Sequence, residues 1–164
     1  MDIGAGLPQV AGMDTPDPRR SIWWNAREPS LADLTRLGAG SMPGHIGIEF
    51  VAVGGDWLAA RMPVDARTCQ PFRRLHGGAS VALAETVGSV AAACAIDPER
   101  FVAVGMEINA NHIRPAYSGW VTATARPEAI GRTTHVWSIR LEDEGGRLVA
   151  VSRLTVAVIA KERT

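Results

Sequence analysis

The sequence predicts an α+β domain: an antiparallel sheet of about six strands with one long helix packed on it. Three observations carry that expectation. Residues 75–95, "LHGGASVALAETVGSVAAACA", form one long run of small, helix-forming residues. Two β-like stretches precede this run and four follow it. Short turn-like clusters join the strands, and these suit antiparallel neighbours rather than the long crossovers of a parallel sheet.

Taken in order, residues 1–21 are rich in Gly, Pro and Asp without periodicity. They are expected to be a flexible N-terminal extension, with the folded domain at 22–164. Trp23 and Trp24 are expected to dock the end of that extension on the body. "SLADLTRLG" (30–38) reads as a short helix with Ser30 as N-cap, Asp33 in the first turn and Gly38 as stop. "GHIGIEFVAVGGDWLAARMPV" (44–64) reads as two strands joined at Gly54-Gly55-Asp56, and "DARTCQPFRR" (65–74) as a loop. After the long helix, "FVAVGMEINANHIRPA" and "GWVTATARPEAI" are strands punctuated by Pro115, Tyr117-Ser118-Gly119 and Pro127. "THVWSIRLEDEGGRLVAVSRLTVAVIA" is a long hairpin turning at Glu144-Gly145-Gly146.

Composition excludes several functions. The 164 residues carry a formal net charge of +0 with no basic stripe, which gives no electrostatic support to a nucleic-acid or anionic-membrane partner. No apolar run approaches the ~20 residues of a membrane span. The N-terminus lacks the basic-then-apolar order of a signal peptide. Two cysteines, Cys69 and Cys94, make neither a disulfide framework nor a zinc site, so free thiols in the cytoplasm are expected.

The long helix holds the chemistry. Its stripe Leu83, Val87, Val90 and Cys94 should face the sheet. Glu85 points almost opposite, among Gly78, Val81, Ala82, Gly88, Ser89 and Ala92. A lone acid among small residues is costly unless it is paired, wetted or used, and the missing companion charges argue for a protein-covered, functional Glu85. At the helix start, "HGG" (76–78) leaves backbone N–H groups open to a substrate oxygen, where the helix dipole favours negative charge. That is oxyanion-hole geometry. Gly77 and Glu85 are eight residues apart, ~12 Å along one helix, whereas base and oxyanion donors must both reach one carbonyl. If the two act together, they come from antiparallel helices of two copies.

Rival motifs fail. "HGGA" resembles a lipase oxyanion strip, yet no Gly-x-Ser-x-Gly elbow exists. Cys69 with His76 lacks an activating context. His45, His76, His112 and His135 lack metal-ligand spacing, and no phosphate-loop or dinucleotide fingerprint is present.

The stretch "CQPFRRLHGGASVALAETVGS", with "MPVDARTCQPF", "VGMEINANHIRPA" and "HVWSIRLEDEGGRL", strongly resembles the hotdog-fold acyl-CoA thioesterases of the PaaI-like superfamily over roughly residues 22–160. The nearest resemblance is to 1,4-dihydroxy-2-naphthoyl-CoA, enterobactin-proofreading and Arthrobacter-type 4-hydroxybenzoyl-CoA thioesterases. It implies a sheet wrapped around one central helix and a homodimer with antiparallel helices and shared sites, paired further as a dimer of dimers. It also implies hydrolysis of an acyl-CoA, aromatic above all, with no cofactor. By the same resemblance Glu85 is the catalytic acid, nucleophile or general base, and Gly77 supplies the N–H that polarises the carbonyl. Gln70 and His76 lie around the thioester, and Ser89 helps hold the carboxylate or water. Coenzyme A contacts fall on Gly105, on His112, Ile113 and Arg114, and on the turn Gly131, Arg132 and Thr133. Here Arg132-Thr133 stands where close relatives have Ser-Arg, which moves the cation one position earlier. Fatty acyl- or phenylacetyl-CoA is the alternative substrate. A hotdog hydratase is disfavoured by the acid after "HGG". A non-catalytic acyl-CoA sensor is disfavoured by the absence of a DNA-binding element.

Overall fold

The computed structural model describes residues 21–162. The stretch read as an extension therefore lies outside the described residues, apart from Ser21. Six strands form one antiparallel sheet: β1 (Glu49–Gly54), β2 (Trp57–Pro63), β3 (Phe101–His112), β4 (Trp120–Ile130), β5 (Thr134–Asp143) and β6 (Leu148–Ala160), in the spatial order β1-β2-β4-β5-β6-β3. The long helix, α3 (Gly77–Cys94), packs against every strand from β2 to β6. This is the sheet-around-helix arrangement expected, and β1 and β3 are its edges.

The local signals explain the elements. Ser30 caps α1 (Leu31–Gly38), its side chain accepting the Asp33 N–H. Thr35 Oγ1 then accepts the Phe50 N–H at 3.0 Å and ties α1 to β1. One expectation is corrected here. The segment from Gly44 does not begin as strand: Met42–His45 is a single turn, α2, with Pro43 in its first turn, and β1 starts only at Glu49. Proline removes no needed donor in a first turn and its fixed φ suits a helix, so Pro43 is compatible with this turn. Trp23 docks as expected, buried with its indole N–H on the Gly54 carbonyl at 2.8 Å, whereas Trp24 stays exposed. The β5–β6 turn closes on Asp143, whose Oδ1 accepts the Gly145 and Arg147 N–H groups.

The helix stripe also needs correction. Leu83 and Val87 are fully buried, but Val90 and Cys94 are only half-buried, and Gly88 and Ala92, placed with Glu85 by spacing, are buried as well. The curled sheet covers a broad arc of the helix, Ser80, Leu83, Ala84, Val87, Gly88, Ala91 and Ala92, rather than one row. Small residues permit that wrapping. A Cβ at Gly88 would lie 2.7 Å from Leu154 Cδ2, inside van der Waals contact. By length and composition α3 could cross a membrane, yet here it is the core helix against the sheet.

Beyond the helix, the inner face of β5 buries His135 and Trp137, and neither His135 Nδ1 nor Trp137 Nε1 finds a hydrogen-bond partner among the described residues. Burial pushes the His135 imidazole below its ordinary value of 6.5, against a smaller opposing pull from the Gly131 backbone. The unfolded chain takes up this proton near 6.5 while the folded chain does not. Stability therefore falls as the pH drops below that value, until the folded imidazole also protonates. Urea unfolding at about pH 7.5 and about pH 5.5 should show a shallower acid loss for His135→Gln than for the parent chain. Equal losses would mean that His135 titrates alike in both states.

Candidate active site

The loop before α3 is built to present a few groups. Thr68 Oγ1 donates to the Pro63 carbonyl (2.6 Å) and accepts the Asp65 N–H, while the His76 N–H reaches the Thr68 carbonyl. A bridge between Cys69 and Leu75 closes the loop. At its tip Gln70 N–H bonds the Arg74 carbonyl, and Arg73 takes a left-handed conformation at φ 59°. Gln70 Oε1 accepts the Phe72 N–H at 2.9 Å. Its carbonyl is thus engaged, and the amide NH2 remains to donate to a ligand.

At the helix start His76 is the N-cap, with Nδ1 accepting the Gly78 N–H at 2.8 Å. An accepting Nδ1 puts the ring proton on Nε2. The Ala79 and Ser80 N–H groups turn back to the His76 carbonyl. One donor is left over: the Gly77 N–H has no partner among the described residues. Gly77 sits beside the end of β3, where an added Cβ would stand 2.9 Å from His112 Nε2. A cavity of about 310 Å³ opens here, lined by Gln70, Arg74, Gly77, Ser80, His112 and Arg114, with Ile113 continuing its wall. Arg114 is steadied by a 3.2 Å bond to the Leu148 carbonyl.

Glu85 lies elsewhere. Its Oε1 accepts the Ser89 hydroxyl at 3.0 Å, one turn along the helix. It rests over Gly105 of β3, where a Cβ would stand 2.6 Å from that oxygen. The structure therefore gathers Gln70, Gly77, His112, Ile113 and Arg114 around one cavity, with His76 capping the helix beside it. Glu85, Ser89 and Gly105 form a second group. Gly131, Arg132 and Thr133 make an exposed turn between β4 and β5, beyond the level of Gly105: Ile130 pairs with His135, His135 with Val156, and Val156 with Gly105. No chain unites the three groups on its own.

Arg74 and Ser80 also line the cavity and were not singled out from sequence. The Arg73-Arg74 pair directly before "LHGG" was the available signal for the first. Ser80 sits inside an apolar helical run and gave none. Cys94 is no nucleophile, since burial pushes its thiol up to about 11. Among the described residues no group of three or more His, Cys, Asp and Glu side chains converges as a metal site.

This arrangement matches known proteins. The thioesterase superfamily matches residues 72–150. The 1,4-dihydroxy-2-naphthoyl-CoA hydrolase of Escherichia coli is 49% identical over 138 residues, 84% of this chain and 99% of that protein. The proofreading thioesterase EntH of Cronobacter turicensis is 44% identical over 138 residues, 84% and 98% of the two chains. Among solved structures, a mutant thioesterase from Pseudomonas aeruginosa superposes with a TM-score of 0.84 at 46% identity, covering 86% of this chain and all of that one. A thioesterase from Haemophilus influenzae gives 0.81 at 49% identity over 85% and 95%. With the six-stranded sheet, its central helix and a free N–H at the helix start, these likenesses leave one conclusion: the chain belongs to the thioesterase superfamily and is a hotdog-fold thioester hydrolase.

Proposed function

We propose that this enzyme hydrolyses an aromatic acyl-CoA to the free acid and coenzyme A, at two sites shared across a homodimer. The observation that carries the chemistry is the unpartnered Gly77 N–H at the mouth of the Gln70, His112 and Arg114 cavity. A thioester carbonyl seated there gains a charge-stabilising donor at the positive end of a helix. Glu85 from the other copy then either attacks the carbonyl carbon or takes a proton from the water that does. The tetrahedral intermediate collapses, the C–S bond breaks, and coenzyme A departs as a thiolate that gains a proton. Where Glu85 itself attacked, water then opens the acyl–Glu85 anhydride, releasing the free acid and restoring the carboxylate. The Gln70 amide, its oxygen already accepting the Phe72 N–H and its NH2 free to donate, suits the carbonyl oxygen or the attacking water. The base or nucleophile and the donor to the carbonyl oxygen are both protein groups, so this reading calls on no metal or bound cofactor.

Edge strand β3 supports the dimer. It is 12 residues long, with Val102, Val104 and Met106 exposed, and an unpaired edge of this kind invites a second strand. A two-fold axis near Ile108 sets Gly105 of one copy near His112 of the other. Gly77 lies beside His112 and Glu85 beside Gly105, so the same axis brings Gly77 of one copy to Glu85 of its mate. Pairing of two such dimers completes the tetramer we favour. Arg114 in the cavity wall, and Arg132 in the exposed β4–β5 turn, offer guanidinium groups to coenzyme A phosphates. Glycines 105 and 131 with Ile113 and Thr133 complete that binding surface. The aryl preference rests on the E. coli relative, a hydrolase of 1,4-dihydroxy-2-naphthoyl-CoA. Free thiols at Cys69 and Cys94 support a cytoplasmic enzyme.

Thiol release should be fastest with aryl-CoA in a panel that includes phenylacetyl- and fatty acyl-CoAs, and Glu85→Gln should lose a factor of ~10² or more in kcat. Binding of acyl-CoA without turnover would reduce the protein to a binding module. Site sharing has its own test. Co-expressed Glu85→Gln and Gln70→Ala chains should form mixed dimers with one intact site, recovering about one quarter of wild-type activity. No recovery above the two parents would place both residues in one chain's site.

A further inference from the structure

Strand β3 carries an irregularity whose consequence reaches the carboxylate. Gly105 pairs with Val156 and Glu107 with Thr155, so Met106 is an extra residue, a β-bulge. Gly105 faces α3, against Glu85 and Ser89, and so does His112, against Gly77. Their separation of seven is odd, and side chains on a regular strand alternate faces with a period of two. An unbulged strand would turn one of these two positions away from the helix. The bulge resets the alternation between them, so both ends of β3 address α3.

We infer that Gly105, held on the helix side by the bulge at Met106, is a positioning residue that fixes where the Glu85 carboxylate sits. The space a side chain would fill is occupied by the acid. An added Cβ would stand 2.6 Å from Glu85 Oε1, 3.6 Å from its Cδ and 3.9 Å from Ser89 Oγ. The first distance is a collision and the other two are ordinary contacts. Ser89 donates to the same Oε1 at 3.0 Å, so the carboxylate is held by a hydroxyl from the helix and seated on bare strand backbone. Any side chain at 105 must drive it off that seat. The inference rests on the proposed role of Glu85 in hydrolysis. It assigns Gly105 a steric task separate from the coenzyme A contact implied by resemblance.

Gly105→Ala should lower kcat about 10-fold or more, with any rise in KM through its coenzyme A contact the smaller effect, because a small displacement of a reacting group is costly. The loss should vanish in backgrounds where the collision is absent or the acid already disabled. Gly105→Ala added to Glu85→Asp, whose shorter side chain withdraws from the strand, should cost little further. Added to Glu85→Gln it should also cost little. A raised KM with unchanged kcat would leave Gly105 its coenzyme A contact alone and overturn the proposal. So would an equal fold-loss in all three backgrounds. If Gly105→Ala alone does not fold but folds with Glu85→Asp, the collision is with the carboxylate, as inferred. If neither folds, the strand itself demands glycine and the proposal fails. If Glu85→Gln alone leaves thioester hydrolysis intact, the proposed function fails first, and that result is distinct from all of these.

Discussion

The molecule is organised around the problem of keeping one carboxylate on an otherwise apolar helix. Full burial would cost several kcal/mol without a compensating charge, and no cation pairs with Glu85 among the described residues. Full exposure would leave it solvated and poorly placed for chemistry. The fold takes a middle course. Glu85 is half-buried at the rim of the sheet, with one oxygen on Ser89 and the backbone of Gly105 beneath it. Several of the helix residues that the sheet covers are small, Ala84, Gly88 and Ala91 among them, and at Gly88 Leu154 of β6 and Ile139 of β5 come close. Close wrapping on one side of α3 is what leaves a shallow, half-covered seat on the other.

The helix start meets the complementary demand. An N-cap side chain ordinarily takes the N–H of the second or third helical residue. His76 takes the second, Gly78, and its carbonyl serves Ala79 and Ser80. The cap is therefore ordinary, and it leaves the first N–H, that of Gly77, open as the donor the proposed reaction uses. Replacing Gly77 with a larger residue would press on His112, so loop, helix and β3 are interlocked at the point where the donor is exposed. The same closed loop, pinned by Thr68 and turned at Arg73, fixes Gln70 with its amide NH2 outward.

Much of this was legible in the sequence. All six strands and α3 follow from alternation, turn clusters and the run of small residues, and the Ser30 cap and the Glu144-Gly145-Gly146 turn were local signals the structure repeats. The resemblance named the family that the comparisons then showed. Two readings failed because they treated a segment without its surroundings. A wheel assumes one flat partner, whereas a curled sheet buries Gly88 and Ala92 together with Leu83 and Val87. Strand propensity over 44–48 was overridden by Pro43 in a helical turn. Arg74 and Ser80 reached the cavity by tertiary placement that periodicity does not encode. The bulge at Met106 left no signal a single sequence exposes, because bulges are set by register against the neighbouring strand.

Assembly and chemistry are tied together by that register. A 12-residue edge strand with exposed apolar residues is a liability for a monomer, and in the proposed dimer it becomes the seam along which the two half-sites meet. Gly105 and His112 mark the two halves on β3, and the bulge lets both face α3 despite their odd spacing. A strand without the extra residue could still pair along its edge, but it would deliver only one half-site to the helix. Under that proposal the edge accounts for association, and the bulge makes the associated strands useful for catalysis.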